Sequence, residues 1–258
     1  NVGTSIKHFC LNNQETRRMS ISAEVDERTM HEIYLSAFEG AVKNAKPWTV
    51  MCSYNRINGV FGSENQETLT DILRKRWGYE GFVVSDWSAV NDRVPGLKAG
   101  LDLEMPSSFG ENDALIVEAV KKGELDEAVV DQAVERILNI VYRAQEGRKE
   151  NAVFDRDADH ELAREIAGET LVLLKNEDHI LPLSKEQKLA VIGKYAKKPR
   201  FQGGGSSHIN CHKVTAFLDC LEEGMDYVYA QGYDDDRDEI NEQMITEAVE
   251  AAKDAACL

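Results

Sequence analysis

Along residues 1–150 short apolar runs alternate with amphipathic stretches, the signature of repeated βα units and so of a parallel sheet. Strands are expected at 4–9, 49–54, 81–85 and 101–105. Each runs into polar residues: Lys7 and His8 with Asn12 and Asn13, then Ser53-Tyr54-Asn55, Ser85-Asp86-Trp87, and Asp102 with Glu104. Chemistry gathered where parallel strands end is what a (β/α) barrel or a doubly wound sheet supplies. Between the first two strands, Met30, Ile33, Tyr34, Ala37, Phe38 and Ala41 recur at helical spacing, which predicts a helix with one buried face ahead of Pro47. Val130, Ala133, Val134, Ile137, Leu138 and Val141 repeat that spacing after Asp126, a residue suited to capping.

The pattern breaks at 146–151, a charged segment with almost no apolar residue, read as a linker between domains at 1–150 and 151–258. Beyond it the sequence predicts a helix near 159–167, a strand at 170–174, a turn through Pro182 and a strand at 189–193. Next come a glycine-rich loop at 202–207, a helix near 214–221, a strand at 227–231 and a helix from Glu239. This is the order of a second α/β domain, of which 151–258 would be the first part.

With 258 residues and 42% hydrophobic content the chain has material for a substantial core. A formal charge of -16 leaves no basic stripe to displace counterions, so nucleic acid is not an expected partner. Five cysteines, Cys10, Cys52, Cys211, Cys220 and Cys257, show no CxxC or Cys/His ligand spacing. That predicts neither a disulfide framework nor a zinc site, and it suits a reducing, cytoplasmic compartment. No run approaches the roughly 18 apolar residues of a membrane span, so no membrane partner is expected. The chain opens at Asn1 inside an apolar run and closes on a helical pattern; the expectation is a piece of a longer polypeptide with flanking sequence.

The sharpest local signal is Gly81-Phe82-Val83-Val84-Ser85-Asp86-Trp87, a buried strand that ends by presenting a carboxylate beside an indole. A carboxylate in a partly apolar pocket serves as a nucleophile, and an aromatic face stacks on the CH surface of a pyranose. The heptapeptide fits equally an aspartate that caps the next helix, with Trp87 as packing. Lys7-His8-Phe9 followed by Arg18 supplies donors for sugar hydroxyls or for a carboxylate; a structural histidine and a solvated arginine are the plainer readings. In Met51-Cys52-Ser53-Tyr54-Asn55, the Tyr hydroxyl suits orienting a carboxylate and Met suits an apolar wall, or both belong to the core. The glycines of 202–207 lack the spacings of a phosphate cradle, and Asp234-Asp235-Asp236 reads as a solvated loop before it reads as a cation site.

Taken in order, these motifs resemble the family 3 glycoside hydrolases, in particular the β-glucosidase branch. The resemblance runs through Lys7-His8-Phe9, Asn12-Asn13-Gln14-Glu15, Arg18, residues 47–55, Asn58-Gly59, residues 81–87, Asn91-Asp92-Arg93 and residues 99–106. It continues in Leu173-Leu174-Lys175-Asn176, Leu181-Pro182-Leu183 and residues 202–207. It implies an α/β chain: a (β/α)8 TIM-like barrel, incomplete here, with its C-terminal half in 1–150, followed by the first part of an α/β sandwich in 151–258. By the same resemblance Asp86 matches the family's nucleophile. Lys7, His8 and Arg18 match residues that hold hydroxyls of the sugar in the first subsite, and Met51, Tyr54 and Trp87 match positions that line it. The implied reaction is release of terminal β-D-glucosyl residues by double displacement, through a glycosyl-enzyme intermediate and with net retention. The implied substrate is a small β-glucoside or oligosaccharide, no metal or organic cofactor is called for, and a homodimer is the assembly allowed for.

The departures from the family pattern carry equal weight. The acid/base glutamate that the resemblance places late in the second domain has no match in this chain, nor do an aspartate and an arginine of earlier barrel strands. Glu15 and Glu104 sit within motifs better explained as structural and are not assigned the role. The pattern of the branch that cleaves N-acetylglucosaminides is missing after Lys7-His8, where Asn12 to Arg18 stand instead. The competing readings are an inactive fragment or a carbohydrate-binding or structural remnant, since a half-barrel exposes sheet edges and lacks its proton donor, and a β-xylosidase of the same family.

Overall fold

Three of the four expected strands pair side by side, parallel and in chain order, in a computed structural model that describes residues 2–221, 224–253 and 255. Asn1 and Cys257 lie outside the described residues. The chain forms two compact units, residues 1–151 and 152–258.

In the first unit the strands are β1 (Ser5–Phe9), β2 (Ser22–Ala23), β3 (Thr49–Cys52), β4 (Arg56–Ile57), β5 (Val60–Phe61) and β6 (Phe82–Val84). The main sheet runs β1-β3-β6, with Ile6 opposite Val50 and Val50 opposite Val83. Residues 101–105 do not extend it as the expected fourth strand: only Leu103 bridges Val84. The main-chain ladder starts there, Leu103 N donating to Val83 O at 3.0 Å and Ser85 N to Leu103 O at 2.9 Å. It then stops, because Met105 N donates to the Ser85 hydroxyl at 2.8 Å and not to a main-chain carbonyl. A second small sheet, β2-β4-β5, ends in the two-residue turn of Asn58 and Gly59. Both have positive φ, 48° and 89°, as a tight hairpin of this twist requires.

The helices are α1 (Glu27–Thr29), α2 (Ser36–Ala45), α3 (Arg93–Ala99), α4 (Glu111–Lys121) and α5 (Glu127–Glu146), with two π-wound segments, Met30–Tyr34 and Glu67–Arg76. The expected buried face of residues 30–41 is displaced. Leu35 N reaches back five residues to Met30 O at 2.9 Å, so the π turn holds one more residue than an α turn and shifts the phase of the helix after it. Leu35 and Val42 enter the core in place of Ile33, which is 65% exposed. Asp126 caps α5 as expected, accepting from Ala128 N at 3.0 Å. This helix continues to Glu146, and its stripe is only half buried: Ala133 is enclosed, while Val134, Leu138 and Val141 remain exposed.

Phe9, Leu35, Val50, Leu69, Leu73, Val83 and Leu101 form the centre of the core, each at most 1% exposed. Burying one such side chain contributes about 1.5–3 kcal/mol before chain entropy is charged against it. Beneath the strand ends lies a buried charge network. Asp102 accepts from Val83 N at 2.7 Å and from Arg136 Nη1 at 2.9 Å, and it pairs with Arg74. Arg74 also donates to Gly81 O at 3.0 Å and Gly100 O at 3.2 Å, while Arg93 donates to Leu101 O at 3.0 Å and Asp102 O at 2.9 Å. Burial pulls the Arg74 and Arg93 guanidinium groups below their usual range against the opposing pull of the nearby carboxylates. Asp102, grouped by the sequence pattern with strand-end chemistry, is therefore a structural anion.

The second unit carries α6 (Arg156–Thr170), β7 (Leu189–Ile192), α7 (Phe217–Leu221), β8 (Tyr227–Ala230) and α8 (Glu242–Lys253). β7 and β8 pair in parallel from Leu189 opposite Tyr227 to Ile192 opposite Ala230, with Leu218 and Leu221 packed among them. The strand expected at 170–174 does not form. Thr170 ends α6, and Leu171 to Leu174 are 62–91% exposed with no sheet partner among the described residues. An apolar run with nothing to take its peptide groups has no reason to order as a strand. No described helix is long and apolar enough to cross a membrane.

The charge network yields a stability prediction. Asp102→Ala leaves Arg74 and Arg136 without their shared anion, and urea denaturation is expected to show a loss of about 3–5 kcal/mol. An unchanged midpoint would mean that the network contributes nothing.

Candidate active site

Parallel register brings the carboxyl ends of β1, β3 and β6 to one edge, and with them His8, Tyr54 and Asp86. Asp86 is 8% exposed. Its Oδ1 accepts from the Tyr54 hydroxyl at 2.9 Å and from the main-chain N–H of Trp87 at 2.7 Å. Its Oδ2 lies 3.3 Å from His8 Nε2. The helix-cap reading of Asp86 is overturned, because the next helix, α3, starts at Arg93 and is capped by Asp92, which accepts from Val94 N at 3.2 Å.

The two oxygens of Asp86 are thus unequal. Oδ1 holds two neutral donors, which fix the plane of the carboxylate, and Oδ2 faces only the half-buried imidazole among the contacts between described residues. Tyr54 is itself constrained: the Arg18 guanidinium lies 4.8 Å from its ring centroid, within cation–π range. Burial, the hydrogen bond to Asp86 and the charge of Asp86 push the Tyr54 phenol up to about 12, with Arg18 pulling the other way. Cys52, fully buried on β3, has its thiol pushed up to about 12 by burial. It is held as a neutral packing group.

The other residues predicted from the sequence sit around this carboxylate at differing depths. Arg18 is tied to Glu15 at 2.7 Å, and Glu15 is mostly exposed, so that carboxylate serves the arginine. Lys7 is exposed on β1 and makes no hydrogen bond or ion pair among the described residues, so it is not joined to Asp86. Met51 is half-buried on β3, opposite Val84. Trp87 presents an indole that is 50% exposed. Glu104 accepts from Asn112 Nδ2 at 2.6 Å and lies 3.9 Å from Arg93 Nε, a setting that holds it away from solvent and supports the structural assignment. Two groups are not evident in the sequence, the Trp87 main-chain N–H and the Ser85 hydroxyl. No side-chain identity signals the first, and strand alternation, which puts Ser85 on one face and Asp86 on the other, is the only hint of the second.

The family model described as "Glycosyl hydrolase family 3 N terminal domain" matches residues 1–140, and that described as "Glycosyl hydrolase family 3 C-terminal domain" matches residues 171–258. The chain is 53% identical to thermostable beta-glucosidase B of Acetivibrio thermocellus, over 97% of its own length and 34% of that protein's. It is 47% identical to an exo-alpha-(1->6)-L-arabinopyranosidase of Bifidobacterium breve, over 98% of this chain and 35% of the relative. Among solved structures it resembles a beta-glucosidase of Bifidobacterium adolescentis with a TM-score of 0.88 and 48% identity, covering 98% of this chain and 37% of that one. A glucose complex of beta-glucosidase 3B from Thermotoga neapolitana gives 0.80 and 36%, covering 96% and 34%. The chain therefore spans about a third of the length of the relatives it matches.

The electrostatics can be tested on Tyr54. Its folded phenol holds the proton more tightly than an unfolded one, so its stabilising contribution is full below the ordinary tyrosine value of about 10 and is lost as pH rises through about 12. Phenolate absorbance of wild type minus Tyr54→Phe is expected to show one group ionising near the upper value; a difference curve centred near the lower one would refute the contact with Asp86.

Proposed function

Because the chain belongs to glycosyl hydrolase family 3, we propose that it carries the nucleophile and part of the first sugar subsite of a retaining β-glycosidase that releases terminal glucose. The observation that carries this reading is the carboxylate of Asp86: buried at the end of a central strand, oriented through Oδ1 and facing the half-buried His8 imidazole with Oδ2.

On this reading Oδ2 attacks the anomeric carbon, the C1–Oδ2 bond forms as the bond from C1 to the leaving oxygen breaks, and water later reverses the exchange. Tyr54 and the Trp87 N–H hold Oδ1 so that the attacking oxygen is presented without rotation; fixed orientation of this kind removes entropy from the barrier. On the same reading His8, which faces Asp86 Oδ2, and Arg18, stacked on Tyr54, donate to hydroxyls of the sugar. Trp87 offers a half-open aromatic face for the apolar side of the ring. Lys7, exposed on the same strand as His8, joins this set with Met51 as a lining residue. No residue of this chain is assigned the role of proton donor, and the substrate is a small β-glucoside or oligosaccharide.

A second reading has its own observation. The relative named for α-L-arabinopyranoside cleavage is nearly as similar as the one named for β-glucosides. Both sugars present an equatorial leaving group and differ at C4 and C5, so a single nucleophile and a shared 2-OH contact suit either. Assays with both aryl glycosides decide between them.

Asp86→Ala in the full-length enzyme is expected to lower kcat on an aryl β-glucoside by roughly four orders of magnitude or more, as losing a covalent nucleophile does. Azide should partly restore turnover by a single displacement, with the inverted α-glycosyl azide as its product. Undiminished turnover would remove Asp86 from the chemistry. Tyr54→Phe is expected to cost roughly tenfold in kcat, about the worth of one neutral hydrogen bond.

A further inference from the structure

We propose that Ser85 is a positioning residue for the nucleophile, its hydroxyl ending the β6 ladder so that the Trp87 N–H is released to the Asp86 carboxylate. The proposal rests on the reading of Asp86 as nucleophile.

A parallel ladder has a fixed pattern of bonds, and here it is interrupted. With Val84 bridged to Leu103, Leu103 N bonds Val83 O and Ser85 N bonds Leu103 O. One step further, the same pattern would send Met105 N to Ser85 O and Trp87 N to Met105 O. Neither bond is made among the described residues. The Ser85 hydroxyl instead takes both main-chain groups of Met105, accepting from Met105 N at 2.8 Å and donating to Met105 O at 3.1 Å. With the Met105 carbonyl engaged by that hydroxyl, the Trp87 N–H turns to Asp86 Oδ1 at 2.7 Å. Ser85 is completely buried and Met105 half-buried, so water has restricted access to replace the bond that the hydroxyl makes.

The consequence is specific to the reacting carboxylate. Without the hydroxyl, Met105 O regains the ability to take the Trp87 N–H, Oδ1 keeps only Tyr54, and the carboxylate gains freedom to rotate. The Ser85 hydroxyl is engaged only with Met105 among the described residues, so its effect belongs to the rate of glycosylation and not to binding of the sugar. Asp102 clamps the same strand through Val83 N, but as a charge shared by two arginines its loss reports on stability first. The neutral hydroxyl of Ser85 separates positioning from folding.

The test uses the full-length enzyme and a 2-deoxy-2-fluoro-β-D-glucoside with a dinitrophenolate leaving group, which forms the C1–Oδ2 bond, expels the phenolate and stalls there. Ser85→Ala is expected to slow this inactivation roughly ten- to a hundredfold, the scale of a small misplacement of a reacting group. The Kd of a competitive iminosugar should stay within about threefold, and Ser85→Thr, which keeps the hydroxyl, should recover most of the rate. Inactivation by a folded Ser85→Ala variant at the wild-type rate overturns the proposal, as does a loss carried wholly by iminosugar affinity. If the alanine variant does not accumulate folded, Ser85→Cys decides, with its longer and weaker bonds: a rate at least several-fold below wild type supports the proposal, and a wild-type rate overturns it. Failure of the nucleophile reading shows separately, as trapping of the fluorosugar on a residue other than Asp86.

Discussion

Val83 is hydrogen-bonded on both sides of its peptide to the segment after α3: its N–H goes to the Asp102 carboxylate at 2.7 Å, and its carbonyl accepts from Asp102 N and Leu103 N, each at 3.0 Å. Three residues later comes Asp86. The reach of a strand from one residue to the next is nearly fixed, so anchoring Val83 sets where the carboxylate begins. The anchor is itself held by Arg74 and Arg136 on Asp102 and by Arg93 on the carbonyls of Leu101 and Asp102. Buried charges of this kind add little net stability compared with an apolar core, but they are costly to break. They hold one register against neighbouring ones, and a slip of one residue would turn Asp86 to the opposite face.

The elements were legible where period and punctuation agreed. Strands β1, β3 and β6 and the cap at Asp126 follow from short apolar runs and from a residue type suited to capping. The phase of residues 30–42 was not legible, because a π turn leaves no mark in apolar spacing and displaces Ile33 outward and Leu35 inward. Residues 101–105 and 170–174 share the composition of strands, but pairing depends on a neighbour's free peptide groups, which composition does not report.

The site divides along the same line. Asp86, Tyr54 and His8 were legible as a carboxylate with its neighbours, and the structure brings them to one strand edge, with Arg18 against the Tyr54 ring and not on the carboxylate. Lys7, next to His8 in sequence, lies exposed and makes no hydrogen bond or ion pair with that carboxylate among the described residues. The contribution of Trp87 differs from the one its indole suggested: besides a half-open aromatic face, it gives the carboxylate a main-chain N–H. A peptide donor belongs to every residue but proline, so only the fold tells which one is free.

The donors on Asp86 Oδ1 are neutral, and if Asp86 is the nucleophile, as proposed, it has reason to prefer them. A carboxylate bound by a guanidinium gains a charge-assisted bond roughly twice as strong as a neutral one. That bond weakens when the oxygen becomes part of an ester, so its strength opposes the step it accompanies. A phenol and a peptide N–H give orientation with a smaller opposing term. Arg18 fits this logic: its charge lies over the Tyr54 ring and is tied to Glu15, outside hydrogen-bonding contact with Asp86 among the described residues. The buried arginines are likewise committed to Asp102 and to carbonyls beneath the site. The fold thus keeps its strong ion pairs for holding the strand and leaves the Asp86 carboxylate, the nucleophile of the proposed function, to weaker, directional bonds.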